Sequence, residues 1–577
     1  MSKKENKKIR QRIIFIQILI VSSIFLLGVK SFDIQIFKAK ELTQKAEKDH
    51  SRYITVKGER GQIFDRNMIK LATSIDAISI TANPSQIKTP GLVAKKLSKI
   101  LGTNRKKLRA TLSSQRVYAI VAKSISPAQA EQIKKLKLRG IYFENDSKRF
   151  YPNRNLSAQI IGFTGTDNSG LEGLEYKYNS VLEGGILKIR VKKDGHGGIL
   201  DLDKKKRTEL KGKSIVLTLD KKIQFLSEQI LEKTVKAHQA KSGMALVMRP
   251  QTGEFLAIAH FPQFNPNNFQ NYNNTLFRNR AVTDAFEPGS AMKVFTVAAA
   301  LENGFGPKSI FFCENGTYKI GAFTIRDTHP YDWLSINHII KFSSNIGVTK
   351  IGEKIGDKTL HKYLTAFGFG NKTHIEFPGE TTGRLLPYKK WSKIDASAIS
   401  FGQGVSVSAI QLISGISAIA NKGVLMKPLL IKKIISNYGK DLEVYHPEKI
   451  RQVISSKSAR QVKNMMRLVV EDEGTGKKAA MIGYTVCGKT GTAQKALKDK
   501  KGYSQDNYTS IFAGFAPEND PELAILVAVD EPKNLYYGGD VAAPAFKTIM
   551  AESFNYLNIP PEKNNHMVVV LSPGEKN

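Results

Sequence analysis

Three short patterns in the second half of the chain carry side chains able to do chemistry together: Ser290-Ala291-Met292-Lys293, Ser343-Ser344-Asn345 and Lys489-Thr490-Gly491-Thr492. In the first, a hydroxyl and an amine stand at i and i+3, on one face of a helix, so the Lys293 amine can reach the Ser290 hydroxyl. Glu287-Pro288-Gly289 ends whatever precedes it, and the Ala-rich run from Ser290 is expected to be helical, with the serine in its first turn. A hydroxyl there feels the positive end of the helix dipole, which favours developing negative charge. For Lys293 to act as a base, its pKa must fall from about 10.4 toward neutrality. Burial and a second nearby cation both push it that way. The second pattern supplies the Ser343 hydroxyl for proton relay and the Asn345 amide for holding a peptide carbonyl. The third supplies that second cation, Lys489, and two hydroxyls, Thr490 and Thr492. Its Gly491 is expected to let a substrate backbone lie close to the strand. The set needs no metal and no cofactor. With only two cysteines, Cys313 and Cys487, neither a disulfide framework nor a Cys-rich zinc site is available.

Each pattern alone is common. Ser85-Gln86-Ile87-Lys88 also fits S-x-x-K and Ser335-Ile336-Asn337 fits S-x-N, and neither is given a role. The ordered triple is specific, and it is the arrangement of serine enzymes that react with β-lactams. A competing reading exists, because Gly483-Tyr484-Thr485-Val486-Cys487-Gly488-Lys489-Thr490 matches the phosphate-binding pattern G-x-x-x-x-G-K-[ST]. Its middle residues are strand formers, however, where a phosphate-cradling loop should break the strand. Only 87 residues follow Thr490, too few for the parallel sheet such a loop requires.

The elements that position these groups can be read around them. Met244 to Met248 and Phe255 to Ala259 flank a hairpin turn at Arg249–Glu254. Helical patterns cover Ala291 to Leu301, Ile336 to Ile355 and Val407 to Ile419. Strands are expected at Ser214 to Leu219, Ile511 to Phe515 and Leu523 to Val529, and an amphipathic helix around Pro544 to Tyr556. Strands at both ends with helices between imply an antiparallel sheet covered by helices, an α+β fold.

At 577 residues the chain needs two or three domains, and 41% hydrophobic content makes disorder an unneeded reading. Residues 1–12 form a basic head, and the uncharged run 13–29 has the length of a membrane anchor, its seventeen residues spanning roughly 26 Å. The positive-inside rule leaves the head in the cytoplasm and the remainder outside, in a single pass. The formal charge of +37 then suits an anionic envelope better than nucleic acid, since basic stretches such as Lys204-Lys205-Lys206-Arg207 lack interleaved aromatics. Residues 31–210 form an expected non-catalytic pedestal, 211–558 the catalytic domain and 559–577 a tail. Within the pedestal, Arg60-Gly61-Gln62-Ile63-Phe64-Asp65-Arg66-Asn67 and Gly170-Leu171-Glu172-Gly173-Leu174-Glu175 are expected to be structural, with Arg/Asp alternation forming interlocking ion pairs.

Taken together, these motifs resemble the class B penicillin-binding proteins, and among them the FtsI-like septal transpeptidases. Arg60–Asn67 and Gly170–Glu175 are similar to the family's pedestal motifs, the pedestal being of the dimerisation type. Arg278 through Ser290, with Phe286-Glu287-Pro288-Gly289 before the serine, is similar to the septal form. Ser400-Phe401-Gly402-Gln403-Gly404 and Asp530-Glu531-Pro532 through Gly539 fit the same subgroup. The resemblance implies a peptidoglycan D,D-transpeptidase in which Ser290 attacks the D-Ala-D-Ala bond of a stem peptide and Lys293 deprotonates it. Ser343 and Lys489 relay protons, Asn345 holds the donor peptide, and Thr490 and Thr492 bind the terminal carboxylate beside Gly491. Backbone N–H groups of Ser290 and Thr492 make the oxyanion hole. It further implies β-lactams as covalent inhibitors, an FtsW-like glycan polymerase and other division proteins as partners, and the septum of the inner membrane, catalytic domain periplasmic, as location. An elongation-type enzyme and a membrane-anchored β-lactam sensor are the alternatives, and a serine β-lactamase would need a deacylating base that is not identifiable. Tyr331-Asp332-Trp333 stands where a glycine turn is expected, and Cys487 is expected to place a thiol near the site.

Overall fold

The computed structural model describes residues 3–43, 51–192, 209–497 and 502–562. The basic run 204–207 and the apolar run 567–571 lie outside them. The chain divides into two compact units, residues 1–59 with 184–211, and residues 60–183 with 212–577.

In the first unit a helix runs Lys3–Phe32 and passes into a π turn, Asp33–Phe37. It extends past both ends of the expected apolar run because lysine, arginine and glutamine are themselves strong helix formers. With a mean hydropathy of 2.4 in its most apolar window, it is long and apolar enough to cross a membrane. Strands Ser51–Lys57 and Ile186–Lys192 pair antiparallel in the same unit.

The second unit is built on a five-stranded antiparallel sheet in the order Cys487–Ala496, Tyr503–Ala516, Leu523–Asp530, Ser242–Met248, Phe255–Phe261. The last two form the hairpin read from sequence, with Met248 opposite Phe255 and Gly253 at φ +78°. The central strands are buried end to end, so they read as continuous apolar runs rather than alternating ones. Successive residues still alternate between two cores. Leu246, Ile511 and Ala513 join the core holding the helices Lys293–Glu302 and Ala409–Ala420. Ala245, Val247 and Phe512 join the other, with the helices Lys221–Ala237 and Gly538–Leu557. Cys487 belongs to the first core, so Lys489 and Gly491, two and four residues on, face the same side.

A second sheet mixes the two halves of the chain. Ser214–Leu217 runs parallel to Ile63–Phe64 and antiparallel to Ile431–Ile435. Arg60 and Arg149 both pair with buried Glu175, each at 2.6 Å, so the two glycine-bearing motifs of the pedestal meet at one carboxylate. Asp65 does not join these ion pairs. It accepts from the N–H groups of Asn67, Ile69 and Lys221, and Arg66 pairs instead with Glu254 at 3.5 Å.

Candidate active site

Ser290 lies in a 3₁₀ turn, Gly289–Met292, and the α-helix begins only at Lys293. The expectation of a serine in the first α-turn is corrected accordingly. The cause is crowding by three backbone segments. Gly289 has φ +52° and donates to Gly402 O at 3.1 Å, and a Cβ at Gly402 would lie 2.1 Å from Gly289 O. A Cβ at Gly491 would lie 2.7 Å from Pro288 O. Gly491 thus makes room for the serine turn itself, where the sequence suggested room for a substrate backbone. The turn's first bonded amide is Ala291 N–H, to Pro288 O at 3.3 Å, and among the described residues no backbone acceptor meets the Ser290 N–H before it.

The single helix expected over Ile336 to Ile355 is two, Ile336–Phe342 and Asn345–Ile355. Ser343 sits between them in the left-handed region at φ +59°, a conformation that costs an L-residue about 1 kcal/mol. Ser344 caps the second helix by accepting from Gly347 N at 2.9 Å. The apolar pattern runs through the break because both helices bury the same side, Ile339 and Ile346 included, in one core. The break is what turns the Ser343 hydroxyl and the Asn345 amide toward the lysines. Ser335, of the discarded S-x-N, is itself a helix cap, accepting from His338 N.

Lys293 and Lys489 are both fully buried. The Lys293 amine reaches Ser343 O at 2.5 Å, Ser343 Oγ at 3.2 Å and Asn345 Oδ1 at 2.7 Å. The Lys489 amine reaches Ser343 Oγ at 2.9 Å and Thr490 Oγ1 at 3.3 Å. Among the described residues no hydrogen bond joins Lys293 to Ser290; the two amines meet at Ser343 instead. Burial brings Lys293 down to about 7, against an opposing pull from the Asp327 carboxylate. Lys489 is held well below the usual lysine range by burial and by the charge of Lys293. A hydroxyl carries one proton, so Ser343 can donate to one amine and accept from the other only if one of them is neutral. With both its protons committed to Ser343 O and Asn345 Oδ1, a neutral Lys293 keeps its lone pair for a hydroxyl. That is the form a general base requires.

Thr490 Oγ1 lies 3.0 Å from Thr475 Oγ1, and Thr492 Oγ1 accepts from Gly538 N at 3.0 Å, at the start of the C-terminal helix. Cys487 is buried with its thiol pushed well up by desolvation, which corrects the expectation of a thiol at the site. Tyr484, Thr485 and Val486, expected as strand formers, precede the strand, which begins at Cys487; Gly488 to Thr490 lie within it, Lys489 opposite Ala513, where a phosphate-binding loop would lead into a helix. Tyr331 stacks on Phe342 at 5.5 Å, and Trp333 pairs in a strand with Phe312.

Sequence reasoning missed Asp327. Its carboxylate accepts from Ser344 Oγ and Asn345 N, each at 2.5 Å, and from Ile346 N at 3.1 Å, while Asn345 Nδ2 donates to Arg326 O at 2.9 Å. Thr475 was missed as well. Neither has a local signal, since both act through tertiary contact alone. Glu287 had one in its place beside Pro288-Gly289; it accepts from Gly404 N at 3.0 Å and Tyr503 OH at 3.1 Å.

Two protein-family models match the chain. The penicillin-binding protein transpeptidase domain matches residues 243–551, and the penicillin-binding protein dimerisation domain residues 55–217. The chain is 36% identical over 520 residues to a probable peptidoglycan D,D-transpeptidase PenA of Neisseria gonorrhoeae, covering 89% of this chain and 87% of that one. It is 32% identical over 561 residues to the peptidoglycan D,D-transpeptidase FtsI of Escherichia coli K12, covering 96% and 92%. Among solved structures, penicillin-binding protein 3 of Mycobacterium tuberculosis complexed with ampicillin superposes with a TM-score of 0.70 at 27% identity, covering 90% of this chain and all of that one.

Proposed function

The chain belongs to the class B penicillin-binding proteins of the FtsI-like kind, peptidoglycan D,D-transpeptidases, and on that premise we propose that Ser290 is its nucleophile and the division septum its place of work. The observation that carries the residue assignment is the convergence of two buried, down-shifted amines on Ser343 Oγ, beside the turn that presents Ser290. In this reading neutral Lys293 takes the Ser290 proton as the hydroxyl attacks the penultimate D-Ala carbonyl. D-alanine leaves with a proton relayed through Ser343 and Lys489. Asn345 holds the donor peptide, Thr490 and Thr492 hold its terminal carboxylate beside Gly491, and the N–H groups of Ser290 and Thr492 stabilise the oxyanion. β-Lactams enter the same path and stop at the acyl-enzyme.

The expected layout follows: a cytoplasmic head 1–12, an anchor 13–29, a pedestal 31–210, a transpeptidase domain 211–558 on the periplasmic side, and a tail 559–577. The 32% identity to an FtsI protein supports the septal role, and an FtsW-like polymerase is the partner that would supply glycan. Mass spectrometry after penicillin treatment tests the nucleophile: the adduct is expected on Ser290 and to persist for minutes, and an adduct elsewhere or rapid turnover overturns the assignment. In cells, Ser290→Ala is expected to stop septation while elongation continues. Rounded cells would point to elongation instead.

A further inference from the structure

Transpeptidation needs two substrates, and the groups described above account for one. In the second half-reaction the acceptor nitrogen bonds the acyl carbon, the carbon–Ser290 oxygen bond breaks, and one amine proton ends on the Ser290 hydroxyl. The acceptor amine must therefore stand where the D-alanine nitrogen stood, and its chain must leave along the path that D-alanine took. On the reading above, Thr490 marks that path, because it holds the leaving residue's carboxylate.

Thr490 Oγ1 touches Thr475 Oγ1 at 3.0 Å, and Glu473, two residues earlier, lines a cleft of about 1190 Å³. Glu473 pairs at 3.3 Å with Lys341, which lies two residues before Ser343 and lines the same cleft. The cleft thus begins where the active site ends, at an ion pair between the loop carrying Thr475 and the helix leading to Ser343. That pair is half open to solvent, with Glu473 78% exposed and Lys341 15%. Beyond it the lining is mixed in charge, with more cations than carboxylates, and Glu471, Asp472 and Glu518 stand among the cations. Lys422, Arg460 and Lys463 face the cleft. Among the described residues neither Lys422 nor Arg460 has a carboxylate partner, and the Lys463 amine is held by a carbonyl, Glu518 O at 2.7 Å. Two further cations of the lining are paired, Arg467 with Glu471 and Glu518, and Lys477 with Asp472. Burial holds the Lys463 amine down, the Cys487 and Glu518 charges pull against it, and the charges of Lys422 and Arg460 add to the lowering.

We infer that this cleft binds the carboxylate-bearing stem peptide of the acceptor strand, with Lys422, Arg460 and Lys463 as its anion partners. A stem peptide carries several free carboxylates and is long enough to need a groove rather than a pocket. Charge complementarity of this kind acts on encounter and register. The inference rests on the transpeptidase reading of Thr490.

The test uses the full-length protein in detergent, a D-Ala-D-Ala-terminated donor, and a stem tripeptide ending in a diamino acid as acceptor, with its carboxylates either free or amidated. Wild type is expected to prefer the free-carboxylate acceptor about tenfold in KM, the preference weakening with salt. Lys422→Glu with Arg460→Glu should remove that preference, raising KM for the charged acceptor about tenfold and leaving kcat and penicillin acylation within about twofold of wild type. Lys422→Ala with Arg460→Ala should give a smaller loss in the same direction. An unchanged acceptor KM, an equal loss with the amidated acceptor, or a parallel fall in penicillin acylation overturns the inference. Absence of transfer to any acceptor in wild type, with penicillin acylation intact, overturns the transpeptidase reading and the cleft's role with it.

Discussion

Two lysines that share one hydroxyl cannot both be charged at modest cost, and the site is organised around which one gives up its proton. Lys293 has two acceptors, Ser343 O and Asn345 Oδ1, placed for the two protons of a neutral amine. A base with a pKa near 7 is deprotonated above that pH, so acylation by penicillin should rise with pH and level off above about 7. Below that limb the rate should fall about tenfold per pH unit. Stopped-flow acylation against pH would show it, and a rate flat from pH 5 to 9 would remove Lys293 as the titrating base. Lys293→Ala is expected to slow acylation by roughly 10²–10⁴-fold without unfolding the protein. Lys489→Ala should also slow it, by less. Asp327 pulls Lys293 upward, so Asp327→Asn, which keeps hydrogen-bonding capacity but removes the charge, should move the limb to lower pH. An unmoved limb would leave Asp327 a helix cap and nothing more.

The elements explain what the sequence could and could not disclose. The hairpin around Gly253, the buried strand Leu523–Asp530 and the C-terminal helix follow from local apolar runs bounded by turn residues; the structure places the hairpin and the strand within two residues of expectation, while the helix starts at Gly538, six residues before the expected Pro544. The three motifs were legible for the same reason, since residue type and order survive without geometry. The break at Ser343 was not. A serine in the left-handed region carries no sequence mark, and the apolar period runs unbroken into one shared core. Asp327 and Thr475 were invisible because their partners lie 18 and 15 residues away along the chain, beyond the reach of any local pattern. The role of Gly491 was read as room for substrate, whereas the Pro288 carbonyl occupies that space. Gly491→Ala should therefore push the serine turn off the strand, slowing acylation by about 100-fold. It should lower stability by about 1–3 kcal/mol. Gly306→Ala, whose added Cβ meets only Ser309 Oγ at 3.9 Å, is the matched control and should change neither. Wild-type acylation by the Gly491 variant would show that the close approach is not needed for chemistry.

Across the second unit, the N-terminal and catalytic portions share a sheet and a set of buried polar contacts, so they should unfold together. Ile63 pairs with Ile215, and Asp65 accepts from Lys221 N. The most telling contact is Glu228, buried on the helix Lys221–Ala237, which accepts from Ser157 N at 2.8 Å, Gln224 Nε2 at 2.7 Å and Gln263 Nε2 at 2.6 Å. None of these donors is charged, and burial raises the carboxyl to about 7, with Glu232 adding to the rise. A carboxyl raised from 4.5 in the unfolded chain to about 7 in the folded one binds its proton more tightly when folded. Its contribution is fully present below pH 4.5, shrinks as pH rises from there, and is gone once pH passes about 7. Glu228→Gln keeps the shape without the titration. The difference in unfolding free energy between variant and wild type should therefore move in favour of the variant as pH rises from 4.5 to 7, and stay constant above. Urea unfolding at several pH values, followed by circular dichroism and by retained penicillin binding, measures this. The two probes should report one midpoint at each pH if the portions are a single cooperative unit. A pH-independent difference would mean that Glu228 is ionised alike in both states, and separate midpoints would mean that the shared sheet does not couple the two portions.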